Sequence, residues 1–515
     1  MRLGIDFGTT RTVVAAADRG NYPVVTFETG GGEFDGGESG GEGGCEWRPS
    51  LCAVRGDELR TGHAAKEVLR DPDWSMCRSL KRMLATCGPG DLVLGRPVTK
   101  LLAESLRHLR KALVESSNLD IPPGEKLEVA IAVPAGANAN QRMITADAFR
   151  EAGFHVVRML DEPSAAALEY AWRRPADAKV RKRHVAVYDL GGGTFDASIL
   201  SMGDSRHEVL TTEGLSRVGG DDFDEALLAV CLEQIGLVPP PPGPDRDRLL
   251  EMCREEKERF TASTRKLKPE LFGDKRDAHL AVKVADYEER IRPLVQRTFD
   301  ALDMAVARAQ ALVNLDFEKN TVVYQVGGGS QLPTVGRLLK EKFGRRVWKS
   351  PYAHASVAVG LAIAAESPSE VRVENRFTRY FGVWREADGG RNAWFDPVFP
   401  KDTPLPHAPP SQPLTVTRRY RPAHNVGHFR FVECSRLHAD GSPAGEITPW
   451  GDVRFALQGA WRDRPLEGVD VVRLPEGNEE VEERYCCDAD GNIEVNLVNL
   501  TQGYRKTYRM GLKAA

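Results

Sequence analysis

LGIDFGTTRTVVAAA, residues 3–17, runs a hydrophobic strand into a glycine turn carrying Asp6, Gly8, Thr9 and Thr10, then leaves it as a second apolar strand. VAVYDLGGGTFDASIL, residues 185–200, repeats the plan with Asp189, Gly191, Gly192, Gly193 and Thr194. This internal repeat predicts two similar sheets facing one another. A polyphosphate needs backbone amides close to its oxygens, which glycine turns permit, and a metal whose water shell carboxylates can hold. Two such turns face to face would clamp a nucleotide from both sides. A single Asp-x-Gly-Thr string is ordinary strand-to-turn punctuation, but here Gly219-Gly220-Asp221-Asp222 and Gly327-Gly328-Gly329-Ser330 follow in order.

Outside these turns the chain alternates strand and helix. VAIAVPAGANANQRMITADAFREAGF reads as a buried strand, a turn after Pro134 and a helix ending near Gly153. Residues 286–314 keep a helical period, and TVVYQVGGG from Thr321 returns to strand and glycine turn before the helix TVGRLLKEKF. The α/β pattern runs to about Ala365. After Ser367 short alternating runs such as LTVTRRY and HFRFVEC appear between turn residues, which predicts a β-rich domain. Asp490-Gly491 supplies a tight hairpin turn there, with Ile493, Val495 and Leu497 on one inward face. Residues 29–46, mostly glycine and acid, predict a flexible surface loop, and PPPPGP from Pro239 to Pro244 predicts an extended connector.

The bulk numbers narrow the function classes. A chain of 515 residues is enough for about three to four domains. With 41% hydrophobic residues and no apolar run near the roughly 20 that cross a bilayer, it reads as soluble, with no membrane partner. Acidic and basic residues, 74 against 70, nearly balance, so composition gives no reason to expect nucleic acid. Nine cysteines show no zinc-ligand spacing, which suits a reducing compartment. The first residues enter a glycine motif without a secretory leader pattern, so a cytoplasmic location is expected.

Residues 1–365 resemble the seventy-kilodalton heat-shock, or DnaK-type, chaperones through GIDFGTT, TGHAAK, VAIAVPA, NANQR, RMLDEPSAAALEYA, VYDLGGGTFDASIL, VGGDDFDEAL and VGGGSQLP. The resemblance implies an α/β actin-like two-lobed ATPase domain over residues 1–366, a linker at 367–376 and an all-β sandwich domain at 377–515. It implies ATP/ADP, Mg2+ and K+ as cofactors. Catalysis falls by resemblance on Lys66, as the cation that positions the attacking water and γ-phosphate, with Glu162, Asp189, Thr194 and Asp6. Asp6, Asp189, Asp196 and Glu162 match acids around the ions. Gly8, Thr9, Thr10, Arg11, Gly191, Gly192, Gly193, Thr194, Gly219, Gly220, Lys257, Thr261, Gly327, Gly328 and Gln331 match positions around the nucleotide. Pro134 and Arg142 match a relay from the γ-phosphate to the interlobe surface, and Arg158 matches the position that meets a J-domain co-chaperone.

The departures from the family pattern carry expectations of their own. The arginines that stack on adenine are replaced by Gln331 and Glu258, so nucleotide affinity is expected to be weak or relaxed. ESPSEVRVENRF, from Glu366, replaces the leucine-rich linker, which puts family-style coupling in doubt. FDPVFPKDTPLP and CCDADGNIEVNLVN resemble the peptide-binding sandwich, with no helical lid after it. The leading reading is a monomeric ATP-driven chaperone for polypeptide clients. The alternative is an ATP-responsive adaptor with slow hydrolysis and one dedicated protein partner, and a sugar-kinase-like phosphotransferase is a distant third.

Overall fold

A hairpin returning across a glycine turn starts each of two sheets in the computed structural model, which describes residues 1–28, 44–88, 90–174, 184–203, 206–237, 244–272, 276–366, 372–406, 412–474 and 479–510. In the first, β1 (Arg2–Phe7) pairs antiparallel with β2 (Arg11–Ala16), and the Gly8 amide donates to the Arg11 carbonyl at 3.0 Å. Strand β3 (Arg48–Pro49) lies outside β2, while β4 (Glu128–Val133) and β5 (His155–Asp161) continue parallel on the other side of β1. The order is β5-β4-β1-β2-β3.

The second sheet repeats this. Strand β6 (His184–Leu190) pairs antiparallel with β7 (Phe195–Met202), and Gly191 donates to the Thr194 carbonyl at 3.0 Å. Strand β8 (Arg206–Leu215) flanks β7, while β9 (Thr321–Val326) and β10 (Val347–Lys349) run parallel beyond β6. A short strand, β11 (Arg372–Glu374), ends the order β10-β9-β6-β7-β8-β11. Every residue of β9 is buried, as expected for a parallel strand covered on both faces.

Five helices matter for the site: α1 (Glu162–Arg173), α2 (Gly220–Gln234), α3 (Pro244–Glu258), the 29-residue α4 (Val284–Leu312) and α5 (Ser356–Glu366). Helix α5 is apolar on every side because it is enclosed on every side. Gly4 of β1 faces the backbone of Ala358 and Ala362, and Gly360 faces the Ala165 carbonyl of α1, so closely that a methyl group at either glycine would overlap main chain. Helix α5 thus meets β1 on one side and α1 on the other, backbone to backbone.

Two compact units divide the chain: Met1–Ala135 with Ala146–Val373, and Gly136–Thr145 with Glu374–Ala515. The division differs from a simple cut near residue 366, because residues 136–145 group with the second unit. That unit is a sandwich of two four-stranded antiparallel sheets. One has the order β13-β12-β15-β16, from β12 (Tyr380–Ala387), β13 (Asn392–Phe399), β15 (Val426–Leu437) and β16 (Pro443–Ala456). The other has the order β14-β17-β18-β19, from β14 (Leu414–Tyr420), β17 (Val481–Cys487), β18 (Ile493–Asn499) and β19 (Tyr504–Arg509).

Phe381, Phe431, Tyr485, Val495 and Leu497 share the core between the two sheets. An ionic group is buried with them: Arg385 pairs with Asp396 at 2.8 Å and with Glu483 at 2.8 Å. Most of the glycine-acid loop expected at 29–46, the proline connector and the first half of the expected linker lie outside the described residues. Among the described residues no helix is long and apolar enough to cross a membrane.

Candidate active site

The two hairpin turns touch. A methyl group on Gly192 would lie 2.5 Å from Thr10 Cγ2, and one on Gly193 would lie 2.7 Å from Thr9 Cγ2, so only glycine lets the turns come this close. The Gly220 amide donates to the Gly191 carbonyl at 3.0 Å and the Asp221 amide to Gly192 at 2.6 Å, which joins the third turn to the second. Gly327, in a left-handed conformation (φ 83°), approaches the Leu190 carbonyl and the Asp189 carboxylate.

Acids collect where these turns meet. Asp6 stands near the end of β1, Glu162 is the first residue of α1, and Asp189 and Asp196 are paired opposite one another on β6 and β7. Asp189 and Asp196 are buried. One ammonium lies among them: Lys81, 3% exposed, is 2.5 Å from Glu162 Oε1 and 3.8 Å from Asp6 Oδ1. Burial opposes its charge, but Glu162 and Asp6 outweigh burial and raise its pKa. Asp6 is pushed up to about 7 by burial and by Glu162, against the pull of Lys81. Asp189 is raised well above the usual carboxylate range by burial and by repulsion from Glu162, Asp196 and Asp6.

Glu162, Asp6 and Asp189 therefore act on one ammonium, with Asp196 beside Asp189, and Asp6 Oδ1 is buried without a hydrogen-bond partner. Such an excess of buried negative charge fits a divalent cation. Among the described residues no three carboxylate, histidine or cysteine side chains converge as direct ligands of one ion. The set accordingly fits an ion that keeps its own waters rather than one stripped by Asp6, Asp189, Asp196 and Glu162 together.

Lys66 is not in this cluster. It sits in the short helix His63–Glu67 and pairs with Glu255 of α3 at 2.9 Å. Sequence reasoning passed over Lys81, which rides on a four-residue helix, Leu80–Met83, with no periodicity to mark it. Its aim depends on Ser79, held in a left-handed conformation (φ 60°) that non-glycine residues rarely adopt, with its hydroxyl bonded to Asp221. Arg78 anchors the same turn, bonding Asp221 at 2.9 Å and Asp224 at 2.7 Å, and Arg82 bonds Asp222 at 2.9 Å.

Lys257 pairs with Asp224 at 2.6 Å and donates to the Gly220 carbonyl at 2.7 Å. Thr261 and Gln331 are exposed, with the Thr261 hydroxyl 3.0 Å from that of Ser263. Glu258 does not leave a gap where an arginine is missing. Arg11 pairs with it at 2.8 Å and lies 4.2 Å from the centre of the Trp47 ring. Burial would raise Glu258, but Arg11 and Arg254 overcome it and hold its carboxyl at about 2. Arg158 and Pro134 are buried. Arg142 belongs to the second unit, where it donates to the Asp490 carbonyl at 3.4 Å.

Residues 100–375 match the family model described as Hsp70 protein. The chain is 30% identical over 536 residues to the chaperone protein HscA homolog of Vibrio parahaemolyticus serotype O3:K6, covering 98% of this chain and 76% of that protein. It is 28% identical over 530 residues to the HscA homolog of Vibrio vulnificus strain YJ016, with 97% and 76% covered. The HscA homolog of Laribacter hongkongensis is 32% identical over 388 residues, 71% of this chain and 58% of that protein. Opposed glycine turns around a buried carboxylate cluster, a repeated sheet plan and a family match over more than half the chain lead to one conclusion: the chain belongs to the Hsp70 family and is an ATPase.

Proposed function

We propose that the chain is an ATP-driven chaperone that hydrolyses ATP with magnesium in the first unit and holds polypeptide through the sandwich. The observation that carries this reading is the contact between the two Asp-Gly-Thr turns with a buried lysine and four carboxylates beside them. The glycine amides of both turns and the hydroxyls of Thr9, Thr10 and Thr194 offer donors to a triphosphate. When bound, magnesium supplies neutralisation of phosphate charge.

In this reading Lys81, rather than Lys66, is the catalytic cation. Glu162 fixes its ammonium, which stabilises charge gathering on the transferred group, and Glu162 also accepts a hydrogen bond from the attacking water. Asp6, Asp189 and Asp196 would hold the water shell of a magnesium ion, and the same acids are the candidates for a potassium ion. Lys257 and the Arg11–Glu258 pair border the nucleoside side, with Gln331 and Thr261 at its rim. Arg158 is the candidate contact for a J-domain partner, and the chain acts as a cytoplasmic monomer.

A second reading, an adaptor with one dedicated partner, draws support from the sandwich. Its interior holds the Arg385, Asp396 and Glu483 group, and Arg418 is 3.3 Å from Asp396, so part of the space between its sheets is ionic rather than apolar. Single-turnover ATP hydrolysis with and without a panel of unfolded apolar peptides tests the chaperone. Stimulation of severalfold supports it. Hydrolysis that ignores every peptide, together with one dominant partner in pull-downs, favours the adaptor.

A further inference from the structure

The second glycine turn and the turn that carries Lys81 share one residue, Asp221. Its amide donates to the Gly192 carbonyl at 2.6 Å, which fixes its main chain to the Gly191–Gly193 turn. Gly219, two residues earlier, packs on the same turn so closely that a methyl group would come 2.7 Å from the Gly192 carbonyl oxygen. The carboxylate of Asp221 is engaged by residues 78–82 instead. One oxygen accepts from Arg78 at 2.9 Å, the other accepts from the Ser79 hydroxyl, and Arg82 lies 3.7 Å from that second oxygen. Asp221, Arg78 and Ser79 are all buried, so water does not compete for these bonds.

The helix Leu80–Met83 has only four residues, too few to hold its own conformation, so the direction of Lys81 is set by what fixes residues 78 and 79. Ser79 is left-handed (φ 60°, ψ 38°), a conformation that serine keeps only when a contact holds it there, and its hydroxyl bond to Asp221 is such a contact. Arg78 adds a second support by bridging Asp221 to the fully buried Asp224, at 2.7 Å, and Lys257 holds Asp224 from another side at 2.6 Å. Loss of Asp224 would leave the Ser79 bond in place. Loss of the Asp221 carboxylate would free Ser79 and one of the Arg78 bonds together.

We infer that Asp221 is a positioning residue for ATP hydrolysis, carrying the placement of the Gly191–Gly193 turn to the Lys81 ammonium. It acts through Ser79 and Arg78, and hydrolysis feels it only through Lys81. Whatever fixes the Gly192 carbonyl fixes Asp221, and Asp221 fixes the turn from which Lys81 reaches Glu162. Its effect on turnover rests on the reading of Lys81 given above, whereas the aiming of the ammonium does not.

The test is a double-mutant cycle on the full chain, with Asp221→Ala, Lys81→Met and the pair compared in single-turnover hydrolysis at saturating ATP and magnesium. Asp221→Ala should slow hydrolysis at least about tenfold, as a small misplacement of a catalytic group does, while the ATP Kd from calorimetry stays within about threefold. In the Lys81→Met background the same change should alter the rate less than about twofold, because no ammonium remains to be aimed. Equal losses in both backgrounds, or Asp221→Ala at the parent rate, overturn the assignment. Where Asp221→Ala does not fold, Ser79→Gly carries the same cycle, since glycine suits the left-handed backbone and only the hydroxyl is lost. A severalfold loss that disappears in the Lys81→Met background upholds the role, and no loss, or one kept in both backgrounds, overturns it. If Lys81→Met itself hydrolyses at the parent rate, the reading of Lys81 fails, and the aiming is decided by the lysine-ammonium NMR signal that Lys81→Met removes. That signal shifts in Asp221→Ala if Asp221 places the ammonium, and an unmoved signal overturns the placement as well.

Discussion

Replacing Lys81 by methionine separates the two lysines that compete for the catalytic role. Lys81 lies 2.5 Å from one carboxylate and 3.8 Å from another and is 3% exposed. At an effective dielectric of about 20 the two attractions amount to roughly 7 and 4 kcal/mol before desolvation is subtracted. Removing one partner of such a buried group leaves charge uncompensated and costs about 3–5 kcal/mol net. Lys81→Met should therefore lower the stability of the nucleotide-free protein by that amount in urea unfolding. Millimolar magnesium should restore part of it by replacing the lost positive charge. Lys66 shares a more accessible pair with Glu255, worth about 0–1 kcal/mol, so Lys66→Met should unfold near the wild-type midpoint. In single-turnover hydrolysis Lys81→Met should lose roughly 10²–10³-fold, as when one preorganised donor is removed from a charge-stabilising site. Lys66→Met should stay within a few-fold of wild type. Hydrolysis abolished in Lys66→Met but intact in Lys81→Met would refute the argument, and so would a Lys81→Met protein as stable as the parent.

Because Asp6 titrates near 7 when folded and near 3.8 when unfolded, the folded state binds the extra proton between those values. Its contribution is fully present below pH 4 and is lost as pH rises toward 7, so Asp6→Asn without metal should gain on the wild type across that window. The gain reaches at most about 4 kcal/mol, and a stability difference that stays constant from pH 5 to 7.5 contradicts it. In the sandwich, Arg385→Met alone should cost about 3–5 kcal/mol by stranding Asp396 and Glu483. Replacing all three by apolar residues should recover most of the melting temperature, and a triple variant no better than the single one refutes that account. Gly360→Ala drives a methyl into the Ala165 carbonyl and should cost about 1–3 kcal/mol or more, read as a lowered midpoint in thermal unfolding.

The repeated sheets were readable because both their signals are local: an apolar run fixes the strand and an acid-glycine turn ends it. Helix α4 was readable for the same reason, its period surviving over eight turns, and the reading of 286–314 differs from Val284–Leu312 only at the ends. Lys81 was not, because its importance comes from Asp6 and Glu162, far away in the chain. Lys66 drew attention through the resemblance of TGHAAK to the family motif, yet in the fold it pairs with Glu255, and Gly62 of the motif serves a left-handed turn (φ 65°) and the packing of Arg48.

At Glu258 the sequence offered only a departure from the resemblance and could not show Arg11 pairing with it from the first sheet. One signal was present and unused: Glu483 falls in phase with Val481, Tyr485 and Cys487, the inward positions of β17, and so announced an acid between the sheets. The boundary of the second unit was hidden for a different reason. Residues 136–145 belong to it through space while sitting between two elements of the first unit in sequence.

The bare main-chain seam formed by Gly4, Gly360 and Ala165 has a mechanical consequence. Side chains can slide or exchange rotamers to absorb a displacement, but peptide planes in direct contact cannot, so β1, α1 and α5 form a stiff plate. Asp6 and Glu162 are both mounted on it, which keeps their spacing constant while other parts of the ATPase unit shift. The Ser79 turn that brings Lys81 to them is mounted elsewhere, on Asp221, Asp222 and Asp224, so the ammonium and the carboxylates it meets rest on separate supports, and their fit depends on how those two supports are set against each other.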